Sequence, residues 1–219
     1  SFFLGVYACG KNHDDRSDPR STRSQLEEAV RLAQSLPNVA GIVVGNECLA
    51  GEPEACGQPV GIAQLIADLA YVKKSLAGRP VVVTTAMSML AAVKNHPSQG
   101  QRLAAQSDVV MVNVHPFFAP APIETAVSGS FDGSVRLLRQ LYGKPIVIGE
   151  TGWPSAGQPN GPAVPGVENQ RRFIAEIHRY CAAEDLPVFL FEMFDEPWKS
   201  ETGGVGPHWG IHDRQGRAK

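Results

Sequence analysis

No apolar run in this 219-residue chain approaches the roughly 18 residues that cross a bilayer, and no charged leader with a greasy core opens it. The sequence therefore predicts no membrane insertion by this chain and shows no visible address. Charge of one sign is also missing: 20 Lys and Arg stand against 22 Asp and Glu, for a net charge of -2, and the basic residues form no patch. Nucleic acid and anionic membrane are excluded as expected partners, and a neutral ligand fits better. Cysteine is sparse. Cys9, Cys48, Cys56 and Cys181 show none of the paired two-residue spacing of a structural zinc site, so no metal is expected. Cys48 and Cys56 flank a Gly/Pro/Glu loop and read either as a short disulfide, which suits an exported enzyme, or as two thiols. Linkers, repeats and low-complexity tracts are absent, which predicts one domain over residues 1–219. Val6 to Lys11 holds a single glycine, Gly10, so the Gly-rich turn of a doubly wound nucleotide fold is lacking too.

What is present is a series of short apolar runs separated by amphipathic stretches. Strands are expected at Phe2 to Ala8, Val39 to Gly45, Pro80 to Ala86, Asp108 to Val114, Pro145 to Gly149 and Pro187 to Phe194, each buried on both faces. Leu26, Ala29, Val30, Ala33 and Leu36 follow helical spacing behind a Ser24/Glu27 capping box. Further stripes run through Ile62, Leu65, Ile66, Leu69, Val72 and Leu76, through Val135, Leu138 and Leu141, and through Phe173, Ile174, Ile177, Tyr180 and Cys181. The stretch Ser88 to Ala105 is ambiguous. Alternation of this kind predicts parallel βα units, in an open sheet or a closed barrel.

Chemistry-bearing residues sit where the apolar runs stop, and such residues at several strand ends favour the barrel. Glu150 ends one run and opens the loop Thr151-Gly152-Trp153-Pro154-Ser155; Glu47 ends another, behind Asn46. Two rim carboxylates are the minimum equipment for cleaving a glycoside. Trp153 is expected over the same rim, its indole face suited to a sugar ring, against the alternative of a packing lid. The last strand runs into Phe191-Glu192-Met193-Phe194-Asp195-Glu196-Pro197-Trp198-Lys199, dense in acids and aromatics, read either as a site floor or as an ion-paired rim. Asn113, His115, Phe117 and Phe118 cluster after the fourth strand, with His115 a candidate substrate donor or a structural histidine.

Those segments together make the chain resemble glycoside hydrolase family 17, the β-1,3-glucan hydrolases and transglucosylases. Val44-Gly45-Asn46-Glu47, Val112 to Phe118, Gly149 to Ser155 and Phe191 to Lys199 carry the likeness, which spans nearly the whole chain. The part with Asp195, Glu196 and Trp198 is more similar to the bacterial branch than to plant defence enzymes. The resemblance implies an α/β fold of parallel (β/α)8 TIM-barrel type and a retaining mechanism, with Glu47 as general acid/base and Glu150 as nucleophile. It also implies that Asn46, Asn113, His115, Phe118, Trp153, Glu192, Glu196, Trp198 and Lys199 surround the sugar, that no cofactor is needed, and that the enzyme works outside the cytoplasm.

Two departures qualify the match. His115 stands where many members carry Tyr. The Glu47 strand is second and the Glu150 strand fifth, where the family pattern has fourth and seventh. The interval of three is kept, so the first two βα units are expected to be absent from this chain, which is shorter than the roughly 250 residues of such a barrel. The partner expected is a β-glucan oligosaccharide or polysaccharide, with a missing N-terminal segment as a further one. A non-catalytic glucan-binding barrel fragment is the alternative function; a metal-dependent hydrolase using His115, Asp195 and Glu192 is a third reading.

Overall fold

The computed structural model describes residues 1–8, 13–49, 60–95, 97–199 and 204–219. Six strands alternate with helices along the chain, and hydrogen bonding orders them β1-β2-β3-β4-β5-β6. They are β1 (Phe2–Val6), β2 (Val39–Asn46), β3 (Val82–Ser88), β4 (Val110–Asn113), β5 (Ile146–Thr151) and β6 (Val188–Leu190). This is the α/β, TIM-barrel type of organisation that the resemblance implies, with six βα strands among the described residues. Two compact units emerge: Ser1–Val112 with Tyr142–Pro145, and Asn113–Leu141 with Ile146–Lys219.

In the first unit, β1 pairs with β2 and β2 with β3, both in parallel. Every residue of β4 is buried, as are six of the seven in β3 and five of the eight in β2, as expected for strands covered on both faces. Helices α1 (Thr22–Ser35) and α2 (Ile62–Ser75) bury most of their predicted stripes, with Leu26, Leu65, Leu69 and Val72 in the core, while Leu36 is exposed. The ambiguous stretch Ser88 to Ala105 holds a π-helical turn, Ala91–Asn95, and most of α3 (Pro97–Gln106), which buries Leu103. Helix α1 begins a turn earlier than its capping-box spacing predicts. Ser21 is the N-cap, its Oγ accepting from the Ser24 amide at 3.2 Å, so Ser24 already lies inside the first turn. Asp68 is a polar intruder on the buried face of α2; it accepts from His13 Nε2 at 2.9 Å and Gln64 Nε2 at 3.1 Å.

In the second unit, β5 and β6 run parallel, and helices α4 (Asp132–Tyr142) and α5 (Val167–Ala183) supply Val135, Leu138, Phe173 and Ile177 to the core. Strand β6 is three residues long, not the eight expected. Beyond it the backbone of 192–195 turns to pair with 209–212: Ile211 N donates to Glu192 O, His212 N to Met193 O and Asp195 N to His212 O, each at 3.0 Å. The expectation that all six strands are buried on both faces fails at β1 and β6, where Phe2, Phe189 and Leu190 are exposed. Each is the outermost strand of the order, so one side of its ladder has no neighbour among the described residues. The choice between a Cys48 to Cys56 bridge and two thiols cannot be followed, because Cys56 lies outside the described residues.

Candidate functional site

The first unit contributes Asn46 and Glu47 at the carboxyl end of β2. The β2/β3 register shifts between Val43 and Asn46, where Gly45 takes φ 77° and Glu47 takes φ 49°. The Glu47 amide donates to Ala86 O at 3.0 Å and Thr85 Oγ1 donates to Gly45 O at 3.2 Å, so the distorted turn is held from β3. A left-handed backbone costs a glutamate on the order of 1–3 kcal/mol and persists only where surroundings impose it, which is a mark of functional positions. The strain falls on a glutamate that is only 5% exposed. Gly45 is required here twice over, by its φ and because a Cβ would lie 2.9 Å from Cys48 Sγ.

The second unit gathers most of the remaining candidates. Asn113 ends β4 and is buried; two residues on, His115 Nε2 lies 3.5 Å from Glu150 Oε2, while the Val114 amide donates to Glu150 O at 2.8 Å. Rings enclose the imidazole edge-on: Trp209 at 5.3 Å, Phe191 at 5.6 Å and Phe118 at 6.0 Å between centroids. Such packing fixes the ring plane that faces Glu150. Phe191 also carries the Lys199 ammonium 4.3 Å above its ring, a cation-π contact that leads to the next group of charges.

Lys199 ion-pairs with Glu192, at 2.9 Å, and with Glu196, so one cation serves two acids. Burial pushes the Glu192 carboxyl up to about 7, against the opposing pull of Lys199 and with help from the Glu196 charge. Burial acts on Glu196 in the same direction, but hydrogen bonding from Lys199 outweighs it and holds that carboxyl below its ordinary value. Lys199 keeps its proton: burial disfavours the ammonium, and the two carboxylates more than compensate. The cluster thus sets one carboxyl that holds its proton to higher pH than usual beside one carboxylate and one ammonium.

Of the exposed aromatic rings, Trp198 is 75% and Phe118 is 54% accessible, so both can offer a face to a sugar. Trp153 cannot. It is fully buried, its Nε1 donates to Val164 O at 2.9 Å, and it packs against Phe117 and Phe173. The sequence-based expectation of a stacking platform is corrected to a core residue, the packing-lid alternative, because the indole is held among Phe117, Val164 O and Phe173 of α5. Gly152 has no room for a side chain, since a Cβ would run into Phe191 O. Trp209, which closes the box around His115, was not foreseen. It directly follows a short 3-10 turn, Gly206–His208, and no periodicity marks it.

Asn46 and Glu47 therefore belong to one unit, and Asn113, His115, Phe118, Glu150, Glu192, Glu196, Trp198 and Lys199 to the other.

A family model described as the BtgE/BtgC glycoside hydrolase domain matches residues 2–210. A probable family 17 glucosidase of Saccharomyces cerevisiae is 31% identical over 215 residues, covering 95% of this chain and 50% of its own length. The chain thus spans about half the length of that curated relative. Among solved structures, a β-1,3-glucanosyltransferase of Rhizomucor miehei, an active-site mutant in complex with laminaritriose, superposes with a TM-score of 0.78. The identity is 23%, over 99% of this chain and 73% of that one. An endo-laminarinase from Formosa superposes with a TM-score of 0.79 at 22% identity, over 99% and 67%. The likeness to solved structures shows the fold, and the family match, running from the start of β1 through Trp209 and Gly210, shows membership: the chain belongs to the BtgE/BtgC glycoside hydrolase domain family.

Proposed function

We propose that this chain is the catalytic part of a retaining β-1,3-glucan hydrolase or transglucosylase, with Glu150 as nucleophile and Glu47 as general acid/base. The observation that carries the reading is that each carboxylate stands at the carboxyl end of a parallel strand, one at the distorted exit of β2 and one at the end of β5. In β/α barrels the chemistry is built at that end of the strands. The relatives' names supply the substrate class, a β-1,3-linked glucan.

Under this reading Glu150 attacks the anomeric carbon while Glu47 gives its proton to the departing oxygen, leaving a glycosyl ester on Glu150. Glu47, now a base, then takes a proton from the acceptor that attacks the ester. Water as acceptor gives hydrolysis; a sugar hydroxyl gives transfer. His115 Nε2 faces the nucleophile and restricts its rotation before attack. Trp198 and Phe118 offer stacking faces, while Asn46, Asn113, Glu192, Glu196 and Lys199 supply hydrogen bonds to hydroxyls. No cofactor or metal enters the scheme, and a polymeric glucan substrate fits an enzyme acting outside the cytoplasm.

A time course on a single-length laminari-oligosaccharide, with product sizing and anomeric NMR, tests the reading. Products keeping the β configuration are expected, with chains longer than the starting sugar if transfer competes. A fluorinated glucoside that traps the ester should add its mass to the peptide carrying Glu150. Binding without turnover would favour a glucan-binding role instead, and inverted products would refute the two-step scheme.

A further inference from the structure

Behind the acids of the last strand exit lies a second ion pair that the sequence pattern does not single out. Lys219 Nζ donates to Asp195 Oδ1 at 2.8 Å and to Ser155 Oγ at 2.6 Å, and both charged side chains are only about 15% exposed. The same Asp195 oxygen accepts from the Gly210 amide at 3.1 Å. Ser155 is itself fixed, its amide and its hydroxyl both donating to His208 O. The Lys219 backbone is held as well, its amide donating to Ile211 O at 3.1 Å and its carbonyl accepting from Arg171 Nε at 3.1 Å.

Three segments therefore meet around this pair: the loop leaving β5, five residues beyond Glu150, and the loop leaving β6, with Asp195 between Glu192 and Glu196, both at the Lys219 side chain; and the 208–212 stretch, which bonds to Ser155, Asp195 and the Lys219 backbone. A serine beside a lysine invites comparison with a nucleophile and its base. That role is ruled out here, because Lys219 Nζ donates to Ser155 Oγ while the serine hydroxyl donates to His208 O, so the serine proton does not face the lysine. What the arrangement can do is mechanical. A charge-assisted bond between part-buried partners holds geometry more firmly than a neutral one. Gly210 lets the two backbones close up, since a Cβ there would collide with the 194–195 backbone.

We infer that Asp195 and Lys219 are positioning residues, a clamp that sets where Glu192 and Glu196 stand relative to the Glu150 loop. The inference rests on the glucan-active reading of that site. Its test replaces Lys219→Met, Asp195→Asn and Lys219→Arg, and follows kcat and KM on a laminari-oligosaccharide together with the carboxyl titration of Glu192 by carbon NMR. Lys219→Met should lower kcat about ten-fold or more, as misplacement of catalytic groups does, with KM changed less. It should also draw the Glu192 titration down toward an ordinary carboxylate as the loop admits water. Lys219→Arg should restore most of both. A lowered melting temperature with kcat and the Glu192 titration unchanged would overturn the clamp and leave only a staple. Should Lys219→Met fail to fold, Asp195→Asn, which keeps the shape and removes the charge, decides by the same two readouts. If the parent chain turns over no glucan, the functional reading fails, while the Glu192 titration still decides for or against the clamp.

Discussion

Two tryptophans separate packing from recognition at the scale of single residues. Trp153 is enclosed by Phe117 and Phe173, so Trp153→Ala should cost about 3–5 kcal/mol of stability, as large core truncations do. Trp198 stands in solvent, so Trp198→Ala should leave the melting temperature nearly unchanged and weaken oligosaccharide binding, read by calorimetry, by about 1 kcal/mol, a typical stacking contribution. The reverse pattern would put the platform in the wrong place. Glu192 yields a pH prediction. Its folded value of about 7 lies above the ordinary 4.5, so between the two the native chain binds more protons than the unfolded one. Stability from this group is present below 4.5 and is lost as pH rises toward 7. Glu196, held low, contributes only above 4.5 and loses its contribution as pH falls, so it is constant across that window. His13, raised because its bonds to Asp68 and Asp14 outweigh burial, keeps its full contribution below 6.5 and loses it as pH rises from there toward its folded value. Denaturant melts from pH 5 to 6, below that range, should therefore show a decline that Glu192→Gln abolishes. An unchanged slope in that variant would mean that Glu192 is not the group responsible.

Elements were legible in proportion to how much their own residues decide. Six strands and the main helices could be read from apolar runs and helical stripes, because burial selects side chains at fixed periods. Helix ends were less legible. The Ser24/Glu27 spacing matches a capping box, yet Ser21 takes the cap because the helix starts as soon as Thr22 can be buried. Ser21→Ala should accordingly cost about 1 kcal/mol in a chemical melt and Ser24→Ala much less; equal costs would show that the first turn is frayed. The end of β6 was illegible for a different reason. Its continuation pairs with 209–212, a partner fixed by tertiary hydrogen bonds rather than by any local pattern. The inward turn of Trp153 belongs to the same class, since Gly152 and Pro154 signal a loop and say nothing about which way its tryptophan faces. Within the candidate site, Glu150, His115 and the Glu192 to Lys199 cluster were readable as polar residues at strand exits, while Trp209 and Lys219 were not, because each acquires its role from neighbours distant in sequence.

For the whole molecule the decisive question is whether Glu47, from the first unit, and Glu150, from the second, work on one anomeric carbon. Kinetics can answer it. Residues that act in one mechanism lose their effects together: once one step cannot occur, removing the other group costs little more. Glu150→Gln alone should abolish detectable turnover of laminari-oligosaccharides, with losses on the order of 10⁴-fold or greater. Glu47→Gln alone should slow natural glucan severely, yet spare an aryl glucoside whose leaving group departs without a proton, since only the acid step is lost. The double variant should be no slower on glucan than Glu150→Gln, and all three should still bind oligosaccharide. If the two losses instead multiply, or if Glu47→Gln slows the activated and natural substrates alike, Glu47 does not protonate the leaving group of the reaction that Glu150 begins. A glycoside needs its acid and its nucleophile on the same bond, so that outcome would return the β2 exit to a structural role and leave the second unit without its proton donor.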